Sequence, residues 1–381
     1  MKVLLAHARY AQPGGEERMV DTIAAVLSAR GHRVVRYDED NAALGRGVGA
    51  AVSGLWSRRA RQKVADLLAR ERPDVVHVHN LFPALSPSVY AAANAAGVPV
   101  VQHLHNARLV CIQPFLLRDG APCGDCVGHT PMPGVVHRCY RDSTLASAAA
   151  ASALAAHRAL GTWQRRVARF VAVSEAVAEV VRSAGVVPPE RLVVCANGLD
   201  SDPGVTARGG DDVVYVGRLA SEKGVDLLVD AAASLPEMRF VIVGDGPERD
   251  ALASRAGPNV AFTGALDRAG VYDALRAARV VVVPSRGQEP FGLGVIEAAA
   301  LAVPAIVTRA GGLPEVVQDG VTGVVVAPSS APAIADALRG MTPDSARSLG
   351  AAARTRFEQH YAPDAFADRL LAIYADALTP P

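Results

Sequence analysis

The feature that most constrains this chain is an alternation, run through twice, of short apolar stretches with longer segments of helical period. In the first run Val3–Ala6, Arg33–Tyr37, Val75–His79, Val98–His103, Phe170–Val173 and Leu192–Cys195 read as strands. In the second, Val213–Val216, Arg239–Val243, Val260–Phe262, Val280–Pro284, Ala305–Thr308 and Gly323–Ala327 do so. Continuous apolar runs mark strands covered on both faces, so the fold class is α/β with parallel sheets. Glu16–Arg30 reads as the amphipathic helix after the first strand, closed by Gly31, and Ser174 as the cap of another. Asn197–Asp212, rich in glycine, aspartate and proline, reads as a linker.

The expectation is two doubly wound Rossmann-like domains facing a central cleft, where open α/β sheets place ligands. They span residues 1–199 and 200–360, and residues 361–381 carry a helix, Ala365–Leu378, that packs back across the hinge. A length of 381 residues suits two such domains. The net charge of +1 gives no electrostatic case for a nucleic-acid partner. No stretch has the roughly 18 uninterrupted apolar residues of a spanning helix. Met1–Ala8 is too short for a signal-peptide core. A cytoplasmic chain is expected, with at most peripheral contact at the inner membrane face. The basic stretch Trp56–Lys63 reads as the exposed start of a helix, or alternatively as a contact for anionic lipid. Asp38-Glu39-Asp40 reads as a solvated loop rather than a metal-binding triplet.

Chemistry concentrates in the second half. Gly217, Arg218, Glu222, Lys223 and Gly224 directly follow a strand, and the two cations suit a diphosphate. Glu289-Pro290-Phe291-Gly292-Leu293-Gly294-Val295-Ile296-Glu297 lies between a buried strand and a helix opening near Gly292, whose free amides form an anion site. Glu297, inside that helix, is placed to reach ribose hydroxyls, and Glu289, in the loop, to reach those of a transferred sugar. A lone glutamate in the apolar run Phe291–Ala302 is costly to bury without a purpose. Ala310–Glu315 gives a further glycine turn into a helix, and Gly244-Asp245-Gly246-Pro247 a turn where a nucleobase could stack.

The series GRLASEKG, VGDGP, EPFGLGVIEA and AGGLPE, in this order and spacing, resembles the retaining family 4 glycosyltransferases of GT-B fold (glycosyl transferases group 1). The resemblance spans essentially the whole chain and is strongest from Val213 to Val326. It implies an enzyme moving a sugar from a UDP- or GDP-linked donor to a hydroxyl acceptor, with retention of configuration and no catalytic metal. Polysaccharide, glycolipid or glycoside biosynthesis is the implied setting, with a saccharide, lipid-linked or small-molecule acceptor. It implies Arg218 and Lys223 on the diphosphate, Glu297 on the ribose and Glu289 against the donor sugar. It also implies the Gly292 and Leu293 amides, beside Phe291, on phosphate. Gly14 and Gly15 match the family's glycine turn near donor phosphate and acceptor. His105-Asn106 stands where the family usually has His-Asp, so His105 is expected on the donor sugar and the role of Asn106 is open.

Three acceptor-side positions follow from local pattern. Glu16 reads as helix-start stabilisation or as an acceptor contact. His77 and His79 share a strand face and read first as structural, while His79 and Asn80 at the strand's end are placed for an acceptor. Cys111, Cys123, Cys126 and Cys139 lie in a loop-like insert at about 108–141 and suit a structural zinc; reduced thiols or a disulfide are the alternatives, and His129 and His137 substitute ligands. Two other functions share the architecture: a nucleotide-sugar epimerase or hydrolase, and a non-catalytic nucleotide-sugar-binding protein.

Overall fold

The computed structural model describes residues 1–10, 14–44, 53–205 and 210–379. The chain forms two compact units. One comprises Met1–Leu116, Gly124–Ala196 and Phe366–Pro381; the other comprises Leu117–Cys123 and Asn197–Ala365.

The N-terminal unit holds a six-stranded sheet. In chain order its strands are β1 (Lys2–Arg9), β2 (Arg33–Asp40), β3 (Val75–Val78) and β4 (Val100–Leu104). A two-stranded hairpin, β5 (Leu117–Arg118) and β6 (Ala121–Pro122), interrupts the series and groups with the other unit. The sheet resumes with β7 (Arg169–Ala172) and β8 (Leu192–Val194). The order is β2-β1-β3-β4-β7-β8, and every pairing is parallel. The chain order reverses between β1 and β3, so the carboxyl ends of those strands form a topological switch point.

The C-terminal unit repeats the plan with β9 (Asp212–Val216), β10 (Phe240–Val243), β11 (Val260–Gly264), β12 (Ala278–Val283), β13 (Ala305–Thr308) and β14 (Gly323–Val326). Its order, β11-β10-β9-β12-β13-β14, is that of a Rossmann sheet, with the switch between β9 and β12. Val280, Val282 and Ile306 are fully buried between layers, which is why these strands read as unbroken apolar runs.

Two expectations change. Asp38-Glu39-Asp40 is not a loop: β2 runs through it, on the sheet edge. Arg9 and Arg36 pair with Asp38, and Lys63 pairs with Glu39 at 2.6 Å, so cations drawn from three elements neutralise the edge. The expected linker is anchored at its start. Leu199 is buried, Asp200 is ion-paired with Arg268, and Asp202 with Arg354. Residues 206–209 of the expected linker lie outside the described residues. The boundary between units falls at Ala196/Asn197, not at 199/200.

The C-terminal helix, Pro363–Leu378, joins the N-terminal unit from Phe366 onward. Tyr374 is fully buried there, Asp376 pairs with Arg169, and Asp368 pairs with Arg30 at 2.6 Å. The basic stretch opens a helix, Arg58–Glu71, capped by Ser57, with Arg58, Arg59 and Arg61 exposed. Among the described residues no helix is long and apolar enough to cross a membrane.

Candidate active site

In the C-terminal unit the sequence-predicted residues converge at the β9/β12 switch. Past β9 the chain turns through Ser221–Lys223 to Gly224, whose φ of 64° is left-handed. A Cβ at Gly224 would lie 2.2 Å from the Pro284 carbonyl oxygen, so only glycine lets this turn lie against the end of β12. The amides of Arg286 and Gly287 then donate to the Glu222 carbonyl, stitching the two loops together.

That seam brings Lys223 Nζ to 2.7 Å from Glu289 Oε2, and the Ser285 hydroxyl donates to the same oxygen at 2.9 Å. Burial pushes the Glu289 carboxyl up, but the Lys223 ammonium and the Ser285 hydroxyl more than offset it and hold it below the usual range. Gly311, at φ 54°, passes so close that a Cβ would sit 2.1 Å from the Glu289 carbonyl oxygen, and the Gly312 amide donates to that oxygen at 2.8 Å. The AGG turn thus fixes the backbone of Glu289. Arg218 is nearly half exposed and ion-paired with Glu222.

Gly292 is the N-cap of helix Leu293–Ala300, again left-handed at φ 101°. Phe291 is buried edge-on against Tyr361. Glu297 lies one turn into the helix at 2 % exposure. Gly217, Gly244 and Gly246 are packing glycines: a Cβ on Gly244 would fall 1.8 Å from the Gly217 carbonyl oxygen, and one on Gly246 2.2 Å from that of Leu219.

In the N-terminal unit the switch between β1 and β3 collects a second set. Gly14 is the N-cap of helix Gly15–Ala29. The carboxylate that closes this helix is Glu17, not Glu16. Glu17 Oε2 accepts the Gly14 amide at 2.8 Å, Oε1 accepts the Tyr10 amide at 2.8 Å, and His7 lies at 3.4 Å. Position N3 is where a glutamate reaches back to the cap amide, whereas Glu16, at N2, faces sideways into a cavity of about 30 Å³. That cavity is also lined by His105, Asn106 and Arg108. Glu17→Ala is expected to cost about 2 kcal/mol, lowering the unit's thermal midpoint by roughly 4–8 °C. Glu16→Ala should leave that midpoint within about 1 °C. Calorimetric melts of both variants check it.

His79 and Asn80 sit behind this cavity's surface at 2 % and 5 % exposure. Asn80 is spent on the Ala8 and Phe82 carbonyls at 2.8 and 3.0 Å, so its amide holds the β1 and β3 loops together. His79 Nδ1 and His105 Nε2 are 2.8 Å apart, which fixes the His105 ring. Gln102, buried on β4, donates to the carbonyls of His79 and His103 at 2.8 and 2.7 Å. Behind these, His77 bridges the Tyr374 hydroxyl at 2.7 Å and His103 at 3.2 Å. Burial, reinforced for His77, His79 and His105 by neighbouring imidazoles, lowers all four side chains; His103 falls to about 3.

His77, His79 and His103 have ring nitrogens within 4.8 Å of one another. Their planes make angles of 15° for His79–His103, 26° for His77–His103 and 37° for His77–His79. The group is a hydrogen-bonded stack. Of the insert cysteines, Cys126 is buried and Cys111, Cys123 and Cys139 are partly so.

Tyr10, Gln102, Arg108 and Tyr374 escaped sequence reasoning, because each acts through a partner distant in the chain. Glu17 and Ser285 were missed despite local signals, their spacing of three from Gly14 and of four from Glu289.

Two parallel-sheet units, with a lysine–glutamate pair and a helix N-terminus at the second switch point, define a glycosyltransferase of GT-B type. The sequence matches the family model described as Glycosyl transferases group 1 over residues 210–344 and that described as Glycosyltransferase Family 4 over residues 13–203. The chain belongs to glycosyltransferase family 4. It is 28% identical over 323 residues to the alpha-D-kanosaminyltransferase of Streptomyces kanamyceticus, covering 78% of this chain and 75% of that one. It is 29% identical over 311 residues to the sulfoquinovosyl transferase of Arabidopsis thaliana, covering 78% of this chain and 56% of that one. Its fold is similar to that of Anabaena HepE, crystallised with UDP and glucose (TM-score 0.69, 19% identity, 98% of this chain and 99% of that one). The sucrose-phosphate synthase of Thermosynechococcus elongatus is similar too (TM-score 0.71, 19% identity, 98% of each chain).

Proposed function

We propose that the chain transfers a sugar, with retention of configuration and without a catalytic metal, from a UDP- or GDP-linked donor to a hydroxyl of a saccharide, lipid-linked or small-molecule acceptor. The observation that carries this reading is the Lys223–Glu289 pair at 2.7 Å, held by glycine turns at the mouth of a Rossmann sheet. In the resting enzyme Glu289 neutralises Lys223. A bound donor gives each a new partner: diphosphate for Lys223 and Arg218, sugar hydroxyls for Glu289. Cations and helix amides then stabilise the charge that develops on the leaving diphosphate, which in turn takes the acceptor proton on the same face. Glu297, buried one turn inside its helix, is assigned to the ribose diol. His105, held by His79, is assigned to the donor sugar. No dedicated base is needed, and none is assigned. The crystallised relative's UDP makes the uridine nucleotide the first probe.

Calorimetry with UDP, GDP, ADP and dTDP tests the donor site. One nucleotide should bind with Kd in the micromolar range, about −8 kcal/mol. Glu297→Ala should weaken it about 100-fold, the loss of two hydrogen bonds to a charged group. If none of the four binds, the donor assignment falls.

A further inference from the structure

The cysteines of the insert at about 108–141 take no part in sugar transfer as assigned above, yet three of them are drawn to one place in the N-terminal unit. The meeting point is Gly134, buried in a short helix, Met132–Val136, that packs on the helix Thr144–Ala159. A Cβ at Gly134 would lie 3.9 Å from Cys126 Sγ and 2.7 Å from the side chain of Ile112, the residue after Cys111. The Cys139 amide donates to the Gly134 carbonyl at 2.9 Å. Cys123 follows by covalent spacing, since a C-x-x-C keeps its two cysteines within roughly 10 Å of each other. The Val127 amide turns back to the Gly124 carbonyl at 2.8 Å, a tight turn around Cys126. His129 and His137, the alternative ligands, are exposed.

The charge beside these thiols points the same way. The Arg158 guanidinium donates to the carbonyls of Val110 at 2.8 Å, Leu109 at 3.3 Å and His129 at 2.7 Å, tying the Cys111 loop to the turn after Cys126. Among the described residues it meets no carboxylate, and its Nε is buried without a hydrogen-bond partner. Burial depresses this guanidinium, and the Cys126 and Cys111 thiols oppose that, so both sulfurs lie beside it. A confined cation surrounded by carbonyls calls for an anion. Thiolates held on a metal supply one, because four of them around Zn2+ leave the site negatively charged.

We propose that Cys111, Cys123, Cys126 and Cys139 hold one structural Zn2+ as thiolates, with Arg158 balancing the charge of the site. Each thiol gives its proton to solvent as it binds, and zinc keeps its oxidation state, so no oxidant or reductant is needed. A closed tetrahedral shell leaves no position for water or substrate, which keeps this metal apart from the transfer chemistry. Its task is to staple a segment whose regular structure is two two-residue strands and one five-residue helix. The proposal does not depend on the transferase reading, and metal content is read without donor or acceptor.

The full chain, produced in zinc-supplemented medium, is analysed by plasma mass spectrometry and should carry about one zinc per chain. Cys126→Ser and Cys139→Ser should lose most of it, whereas Cys195→Ser should keep it all. Replacing zinc by Co2+ in the wild-type chain, which needs no variant to fold, should give the thiolate charge-transfer and d–d bands of a tetrahedral site. Arg158→Gln keeps every ligand and should weaken zinc about 10- to 100-fold in competition with a chromophoric chelator. A wild-type chain without zinc and without the cobalt bands overturns the proposal. So do iron in place of zinc, insert cysteines recovered as disulfides, or zinc that survives both serine variants. Unchanged zinc affinity in Arg158→Gln overturns the charge-balancing role.

Discussion

Glu289→Ala is expected to lower kcat for sugar transfer about 10²- to 10³-fold while leaving the nucleotide's Kd within about threefold of wild type. The asymmetry follows from the resting geometry. Glu289 touches Lys223 and Ser285, and its backbone is locked by the Gly311–Gly312 turn, so its removal frees Lys223 for the diphosphate rather than depriving the nucleotide of a contact. What is lost is a carboxylate aimed at hydroxyls of the transferred sugar, an interaction the nucleotide alone never makes. Steady-state kinetics beside nucleotide calorimetry reads both quantities. Glu289→Gln, which keeps the shape and removes the charge, should fall between. The opposite pattern, nucleotide affinity lost with turnover intact, would place Glu289 on the nucleotide and sink the assignment. Glu297→Ala should show the reverse balance, so the two variants separate sugar from ribose.

Acid should unfold the N-terminal unit well before the C-terminal one. The buried histidines His77, His79, His103 and His105 are neutral in the fold, their basicity depressed by burial and, for three of them, by one another. Unfolded, each binds a proton near pH 6.5. Below that pH the unfolded state holds more protons, so stability falls as pH falls, by about 1.4 kcal/mol per pH unit and group. Four such groups give up to about 5 kcal/mol per unit, comparable with a domain's entire stability. The groups facing them do not cancel this. The Tyr374 hydroxyl is raised by burial and stays protonated, and Glu17, held below the usual carboxylate range, loses stability in the same direction as pH drops. The C-terminal unit has His360 as its one histidine. Between pH 7.5 and 5.5 the N-terminal melting transition should fall by roughly 10–20 °C, and the C-terminal one by much less. Calorimetric scans across that range decide it, and equal shifts in the two transitions would reject the histidine account.

The donor half was legible because its signals are local. A buried strand, a glycine turn and a helix start are each written in consecutive residues, so the turns at Gly224, Gly292 and Gly311 could be read before any coordinates. The acceptor half was legible only in outline. Glu16 and Glu17 are adjacent glutamates, and only the direction of the helix's first turn decides which caps it and which faces the cavity. His79 and Asn80 stand at the expected strand end, yet their side chains are consumed within the unit by His105, Ala8 and Phe82. The linker's anchors, Arg268 and Arg354, lie far along the chain and leave no local signal.

The sequence by itself determined two parallel α/β sheets, because unbroken apolar runs followed by helical periods can be buried in no other way. It also determined the glycine turns of the C-terminal unit, because glycine is required wherever backbone meets backbone at 2 Å from a missing Cβ. Tertiary structure alone decided the rest. It joined the C-terminal helix to the N-terminal unit through Tyr374 and His77, stacked histidines from two strands into one buried column, and set Glu16 and Arg108 in one cavity. Each of these depends on which distant side chain arrives at a given place, and local propensity carries no record of that.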